Sequence, residues 1–271
     1  MKKIFNLGMV LLFMVGAISI SLPEIAAASD NDNDNPGALN VDEEYLENQE
    51  YYNDLEEQRD KEIEIREERL LMSRAASTGY FTIPVTYNKQ EYSNFCGPAS
   101  GRQALSFHKA KSNSKEAIPT QEHFGFTIGV IKNGSGTSST YLAQGLNKYK
   151  DVYGFSANPY IVGNISQFAN PETTLESRVR DTLSGKKTAP ILLLRTKWLE
   201  NYNGKNFRHY VTVSGYDGPN KKMRLVDPNH YTEYTSGGSY WAPIAKATSK
   251  LGVTRSVNEA DLESENPVMV W

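Results

Sequence analysis

Cys96 is the only cysteine among 271 residues, and it stands where a loop should give way to a helix. Pro98 suits the first helical turn, where its missing N–H costs nothing. Ala99, Ser100, Arg102, Gln103, Ala104 and Leu105 tolerate a helix, with Gly101 a weak point of about 1 kcal/mol relative to alanine. A thiol at a helix N-terminus faces unpaired backbone N–H groups and the positive end of the dipole, and both favour the nucleophilic thiolate. The plainer alternative is that a free cysteine serves as a small core hydrophobe.

A cysteine nucleophile needs a base within reach and a group to orient that base. Four histidines are available. His108 follows Cys96 by 12 residues on the same expected helix, about 18 Å away at 1.5 Å per residue, and cannot serve. His123 lies in a segment with no derivable position, while His209 and His230 flank an expected hairpin. In that hairpin, Arg208–Tyr216 and Lys222–Pro228 are joined by Asp217-Gly218-Pro219-Asn220, a turn signal between two alternating runs. Centred on Gly218, it sets Val211 against Leu225, Val213 against Met223 and His209 against Asp227. Directly opposed side chains lie close enough for a carboxylate to accept from an imidazole. Asn229, two residues on, is the alternative orienting residue. Gln90, six residues before Cys96, offers a side-chain amide which, with the Cys96 N–H, would supply the two donors an oxyanion needs.

Further elements must position these groups. Tyr80–Val85 reads as a short edge strand carrying Pro84, and residues 110–136 read mostly as loops. Thr137-Ser138-Ser139 is expected to cap a helix from Thr140 to Tyr149. A second helix is expected from Glu172 to Leu183, with Leu175, Val179 and Leu183 on one face. Ala189–Arg195 reads as a central buried strand, Pro243–Lys250 as a helix, and Pro267–Trp271 as a closing edge strand. Helices come first and antiparallel strands later, which is an α+β order.

Charge is divided unevenly. The chain has a net charge of −3, yet residues 30–70 carry 16 acidic and 4 basic side chains while residues 71–271 carry 15 and 23. Lys2 and Lys3, the apolar run Leu7–Ile20 and Ala26-Ala27-Ala28 have the layout of a secretory signal over residues 1–28. Residues 30–40 read as a flexible linker. Residues 41–72 read as an exposed helix, either a solvated spacer or a prosegment folded back over the basic domain. Arg74-Ala75-Ala76-Ser77 would be the place to remove it. The approximately 195 residues from Ser77 onward suffice for one domain.

Gln90, Cys96-Gly97-Pro98-Ala99-Ser100, His209 through Asp217 and Val226-Asp227-Pro228 together resemble the papain-like cysteine peptidases of the bacteriocin-processing-peptidase-like (family 39-like) group. That group includes many exported proteins of Gram-positive bacteria. The resemblance covers roughly residues 80 to 250. It implies a papain-like α+β fold with a helical half bearing the cysteine, a β half bearing the histidine, and a cleft between. Carried over, Cys96 would be the nucleophile, His209 the base and acid, Asp227 the orienting residue and Gln90 the oxyanion donor. Well-studied members process double-glycine leaders and are fused to a transmembrane exporter. No such span or nucleotide-binding region appears here, and the acidic arm is outside the family pattern.

The expected function is therefore an exported cysteine peptidase acting through a thioester. A cell-wall amidase or acyl transferase with the same chemistry, and a non-catalytic binding module, remain open as alternatives. The expected partners are a peptide or protein substrate, cell-wall polymers that suit the basic domain, and the chain's own prosegment. The protein is expected to act as a monomer outside the cell, with no membrane contact after signal cleavage. No nucleic-acid reader motif is present. One cysteine and four separated histidines offer no zinc-ligand spacing, so neither metal nor other cofactor is expected.

Overall fold

Residues 191–195 form strand β3 (Ile191–Arg195), and all five are buried. The computed structural model describes residues 37–72, 79–156, 159–229, 237–249 and 251–271. The expected signal, the expected cut at residues 74–77 and His230 lie outside them. Among the described residues, β3 is interior to a seven-stranded sheet with β2 (Val162–Gly163), β4 (Arg208–Asp217), β5 (Lys222–Asp227), β6 (Gly238–Pro243) and β7 (Met269–Val270). Their order is β2-β7-β3-β4-β5-β6, and β1 (Tyr80–Thr82) pairs with β4 off that path. All the ladders are antiparallel. Helices and an antiparallel sheet in one unit make the architecture α+β.

β4 organises the sheet because it is ten residues long and accepts neighbours along both edges. Its first half pairs with β3 and its last three residues with β1, while β5 lies along the other edge. Helix α3 (Cys96–Ser112) packs on β4, as does α7 (Pro171–Ser184), and α8 (Val253–Leu262) packs on β3. Ser100 Oγ donates to the Tyr210 carbonyl at 3.1 Å, and Thr212 Oγ1 donates to the Ser100 carbonyl at 3.2 Å. These buried cross-links fix how far α3 can slide along the strand. Gly101 is less a weak point than a close approach, since a Cβ there would stand 2.1 Å from the Phe124 ring.

Several expected elements are placed differently. Within 110–136 a helix α4 (Gln121–Thr127) forms, because Thr120 caps it through the His123 N–H and Phe124 is buried beneath it. Among the described residues 243–249 the expected helix (Pro243–Lys250) does not form. Pro243 instead ends β6 at the sheet edge, where a missing donor is harmless. Ala245 then turns the chain at φ 55° before α8 starts after Gly252. β7 is an interior strand, not an edge, because two residues of β2 pair along its far side. Helices α5 (Ser139–Asn147), capped by Ser138, and α7, capped by Asn170 with Pro171 in its first turn, lie within a residue or two of their expected bounds. A single turn α6 (Lys150–Tyr153) follows α5.

The acidic arm forms α1 (Glu43–Glu47) and α2 (Gln49–Met72) and is docked rather than solvated. Tyr45, Tyr52 and Ile63 are buried. Arg178 of α7, itself 1 % exposed, donates to Glu56 at 2.7 Å and to both Asp60 oxygens at 2.6 and 2.9 Å. Arg66 forks onto Asp181 at 2.7 and 2.8 Å, and Arg180 meets Glu67. Breaking a buried pair by removing one partner costs about 3–5 kcal/mol, so Arg178 clamps the arm firmly. Among the described residues no helix is long and apolar enough to cross a membrane.

Candidate active site

Cys96 is the first residue of α3, where backbone N–H groups lack intrahelical acceptors, and it is fully buried. The preceding loop is fixed from outside: the Asn94 side chain donates to the Ile131, Gly134 and Ser135 carbonyls at 2.8, 3.3 and 3.3 Å. The cross-links from Ser100 to β4 bring the start of α3 beside the start of that strand, where His209 lies.

His209 Nε2 is 2.8 Å from Asp227 Oδ1, and both residues are buried. The two are not directly opposed, as the sequence reading had them. Val213 faces Leu225 and Thr212 faces Val226, and the register shifts at a bulge between Val213 and Gly215. Continued toward His209, that register sets Asp227 level with Val211, two residues along. A displacement of two preserves the face, because side chains alternate with period two. Diagonal neighbours remain within reach of long side chains.

Asp227 accepts from every side. Tyr202 Oη and Tyr240 Oη donate to Oδ2 at 2.8 and 3.1 Å, and the Asn229 N–H donates to Oδ1 at 2.9 Å. Asn229 thus supports the carboxylate through its main chain, and Asp227 is the group that meets the imidazole. Burial alone would raise the Asp227 carboxyl, but His209 and these donors hold it below the usual carboxylate range. Burial opposes charging His209. The adjacent Asp227 carboxylate, with help from Cys96 as hydrogen-bond partner and charge, nevertheless raises it to about 10. Burial, then the Asp227 charge, pushes both Tyr202 and Tyr240 well above the ordinary phenol value, which keeps them donors.

Gln90 is buried at the edge of this group, its N–H donating to the Pro228 carbonyl at 2.8 Å. Its side-chain amide donates to the Tyr92 and Ser93 carbonyls at 2.9 and 3.0 Å. Both amide hydrogens are therefore held by the loop ahead of Cys96. His108 is remote from the site, as its helical position requires. It lies 2.9 Å from Tyr160 Oη, and burial followed by the nearby Lys111 charge lowers it to about 4. His123 lies on α4, where its N–H donates to the capping Thr120 Oγ1 at 3.1 Å.

Two contributors were missed in the sequence. Tyr202 ends a short 3-10 turn (Glu200–Tyr202) that runs into the Asn/Gly-rich residues 201–206, whose composition gives a loop and no sign of this contact. Tyr240 reaches Asp227 because β6 lies along β5 with Asp227 opposite Gly238. Neither has a spacing to Asp227 that marks it in advance.

The third neighbour was also unforeseen. The Gly37 carbonyl lies 3.4 Å from Cys96 Sγ, in the segment read as a flexible linker.

Compared with known proteins, residues 82–251 match the family described as the Peptidase_C39 like family. The match takes in Gln90, Cys96, His209 and Asp227 and leaves out the acidic arm, α8 and β7. No curated protein matches the chain.

Proposed function

That the chain belongs to the Peptidase_C39 like family is the premise from which we propose a cysteine peptidase of papain-like arrangement, with Cys96 as nucleophile, His209 as base and acid, and Asp227 as orienting carboxylate. The observation that carries the reading is the 2.8 Å contact of His209 Nε2 with a carboxylate, while the same imidazole has Cys96 as its other partner. An imidazole raised to about 10 stays protonated at neutral pH and so stabilises a thiolate beside it.

In the proposed reaction the Cys96 thiolate attacks a peptide carbonyl, forming a C–S bond and an oxyanion. The Cys96 N–H is one donor to that oxygen. Gln90 is the other, exchanging one of its bonds to Tyr92 or Ser93 for the new acceptor. The C–N bond then breaks, the amine leaving with the His209 proton. Water, deprotonated by His209, attacks the thioester carbonyl; the C–S bond breaks, releasing the acid and restoring the Cys96 thiolate beside the protonated His209. The signal-like layout of residues 1–28 supports action outside the cell.

Mass spectrometry of an acid-quenched reaction with an activated peptide ester tests this. An acyl adduct on the tryptic peptide containing Cys96, appearing and decaying with turnover, is expected. Turnover with no adduct at Cys96 would overturn the assignment.

A further inference from the structure

Residues 37–42 run past the thiol with a turn at Gly37 and a bend at Asn40, bridging in parallel to Thr137 at Ala38 and to Glu265 at Val41, and their main chain is bonded along both sides. The Leu39 N–H donates to the Thr137 carbonyl, and the Thr137 N–H donates to the Gly37 carbonyl, each at 3.1 Å. On the other side, Asn266 Nδ2 donates to the Leu39 carbonyl at 3.0 Å, the Glu265 N–H to the Asn40 carbonyl at 2.9 Å, and the Asp42 N–H to the Glu265 carbonyl at 3.3 Å. Each of these contacts is to backbone. A channel that reads backbone on both sides can seat a peptide main chain as in strand addition, with side-chain selection left to the places where its walls close.

The channel is built rather than incidental. Asn266 and Thr137 are buried, and Asn266 Nδ2 also lies within 3.2 Å of both the Thr137 carbonyl and Tyr210 Oη. The far end is pinned by Asp42, whose carboxylate accepts from Ser138 Oγ at 2.7 Å and from the Thr140 N–H at 2.9 Å over the start of α5. At the near end only glycine fits. A Cβ on Gly37 would stand 2.6 Å from Cys96 Sγ and 2.8 Å from the Arg208 carbonyl oxygen. Clefts of about 610 and 420 Å³ lie along α2, and neither is lined by Cys96 or His209.

We propose that the channel between Thr137 and Glu265–Asn266 is a peptide-binding groove leading to Cys96, and that this chain fills it with its own residues 37–42, which keep the protein latent until they leave. The proposal rests on the cysteine-peptidase reading above and adds to it the groove and its occupant. α2 need not undock for the groove to open, because it is anchored separately through Arg178 and Asp181, whereas α1 gives up its Asp42 cap when the strap moves. Only the six-residue strap has to move.

The test uses the full chain and the Gly37→Val variant, whose added side chain cannot sit against the sulfur. Leu39→Pro, which removes the donor to Thr137, is a second variant acting on the strap alone. Cys96 alkylation by iodoacetamide is followed beside hydrolysis of a peptide panel. Both variants should be alkylated at least tenfold faster than wild type. A synthetic peptide of residues 36–42 should slow the alkylation again, whereas its Gly37→Val form should not. Alkylation at the wild-type rate in both folded variants would overturn the strap. Fast alkylation without hydrolysis would leave the strap standing and remove the peptidase, while hydrolysis by wild type equal to that of the variants would do the reverse.

Discussion

Replacing Cys96 or His209 by alanine should each lower kcat/KM by about 10⁶, and the double variant should fall no further, because nucleophile and base act as one unit. The assay belongs in whichever of wild type and Gly37→Val turns over the peptide panel. Additivity is the informative part. If Cys96 were a packed core thiol and His209 a structural base, the two losses would be small and would sum. Cys96→Ala removes one sulfur from a buried site, so its thermal midpoint should stay near that of the parent while its activity vanishes. Activity near the parent value in either single variant would remove that residue from the mechanism.

Asp227→Asn is expected to lower kcat by about 10⁴, the magnitude found when the orienting acid of a Ser–His–Asp triad is amidated. The cause differs from loss of the nucleophile. Burial pushes the His209 imidazole toward its neutral form, and the Asp227 charge is the main influence overcoming it. With a carboxamide in that place the imidazole should fall below its ordinary range, and the thiolate loses its cationic partner at neutral pH. The basic limb of the pH–rate profile, expected near 10 in the parent, should therefore move below 7. Tyr202 and Tyr240 can still donate to an amide oxygen, so the fold should persist. A basic limb that stays put would show that Asp227 does not set the imidazole.

The same shifts have a consequence for stability. His209 is raised above its unfolded value, so its contribution is fully present below about 6.5 and is lost as pH rises through about 10. Asp227 is held below its unfolded value. Its contribution is present above the ordinary carboxylate range and is lost as pH falls through the depressed value. The pair therefore favours the folded chain most in the weakly acidic interval between the ordinary carboxylate range and about 6.5, and its His209 part declines from there to about 10.

Much of this site was legible because it is written in local pattern. The lone Cys96 before Gly97-Pro98 marks a helix start, and alternation on either side of Gly218 marks a hairpin that carries His209 and Asp227. The bulge at Ser214 was not legible, since an extra residue in one strand leaves no mark in hydrophobic alternation. The turn also differs from one centred on Gly218, pairing Asp217 with Lys222 and offsetting the strands by three; the bulge takes back one, and the net displacement of two leaves His209 and Asp227 on one face. Tyr202 and Tyr240 were hidden for another reason: each reaches Asp227 only after a loop or strand has returned across the sheet. Arg178 likewise gave no sign of its partners, which lie more than a hundred residues away in Glu56 and Asp60.

The strap was the least visible feature. Asp-Asn repeats ending in Pro-Gly-Ala-Leu-Asn have the composition of a linker, and composition reports side chains. The bonds that seat Gly37–Asn40 are made by main chain, which is common to every sequence. Only the absence of a side chain at Gly37 was a signal, and a glycine after proline is read first as a turn.

The central claim is that His209 remains a cation beside Cys96 at neutral pH because Asp227 holds it there. It is tested most directly by titrating the imidazole itself, following the His209 Cε1–H resonance by NMR, assigned through its loss in His209→Ala. A midpoint near 10 in the parent, falling below 6.5 in Asp227→Asn, is the expected result. A parent midpoint at or below 6.5, unchanged by Asp227→Asn, would contradict it.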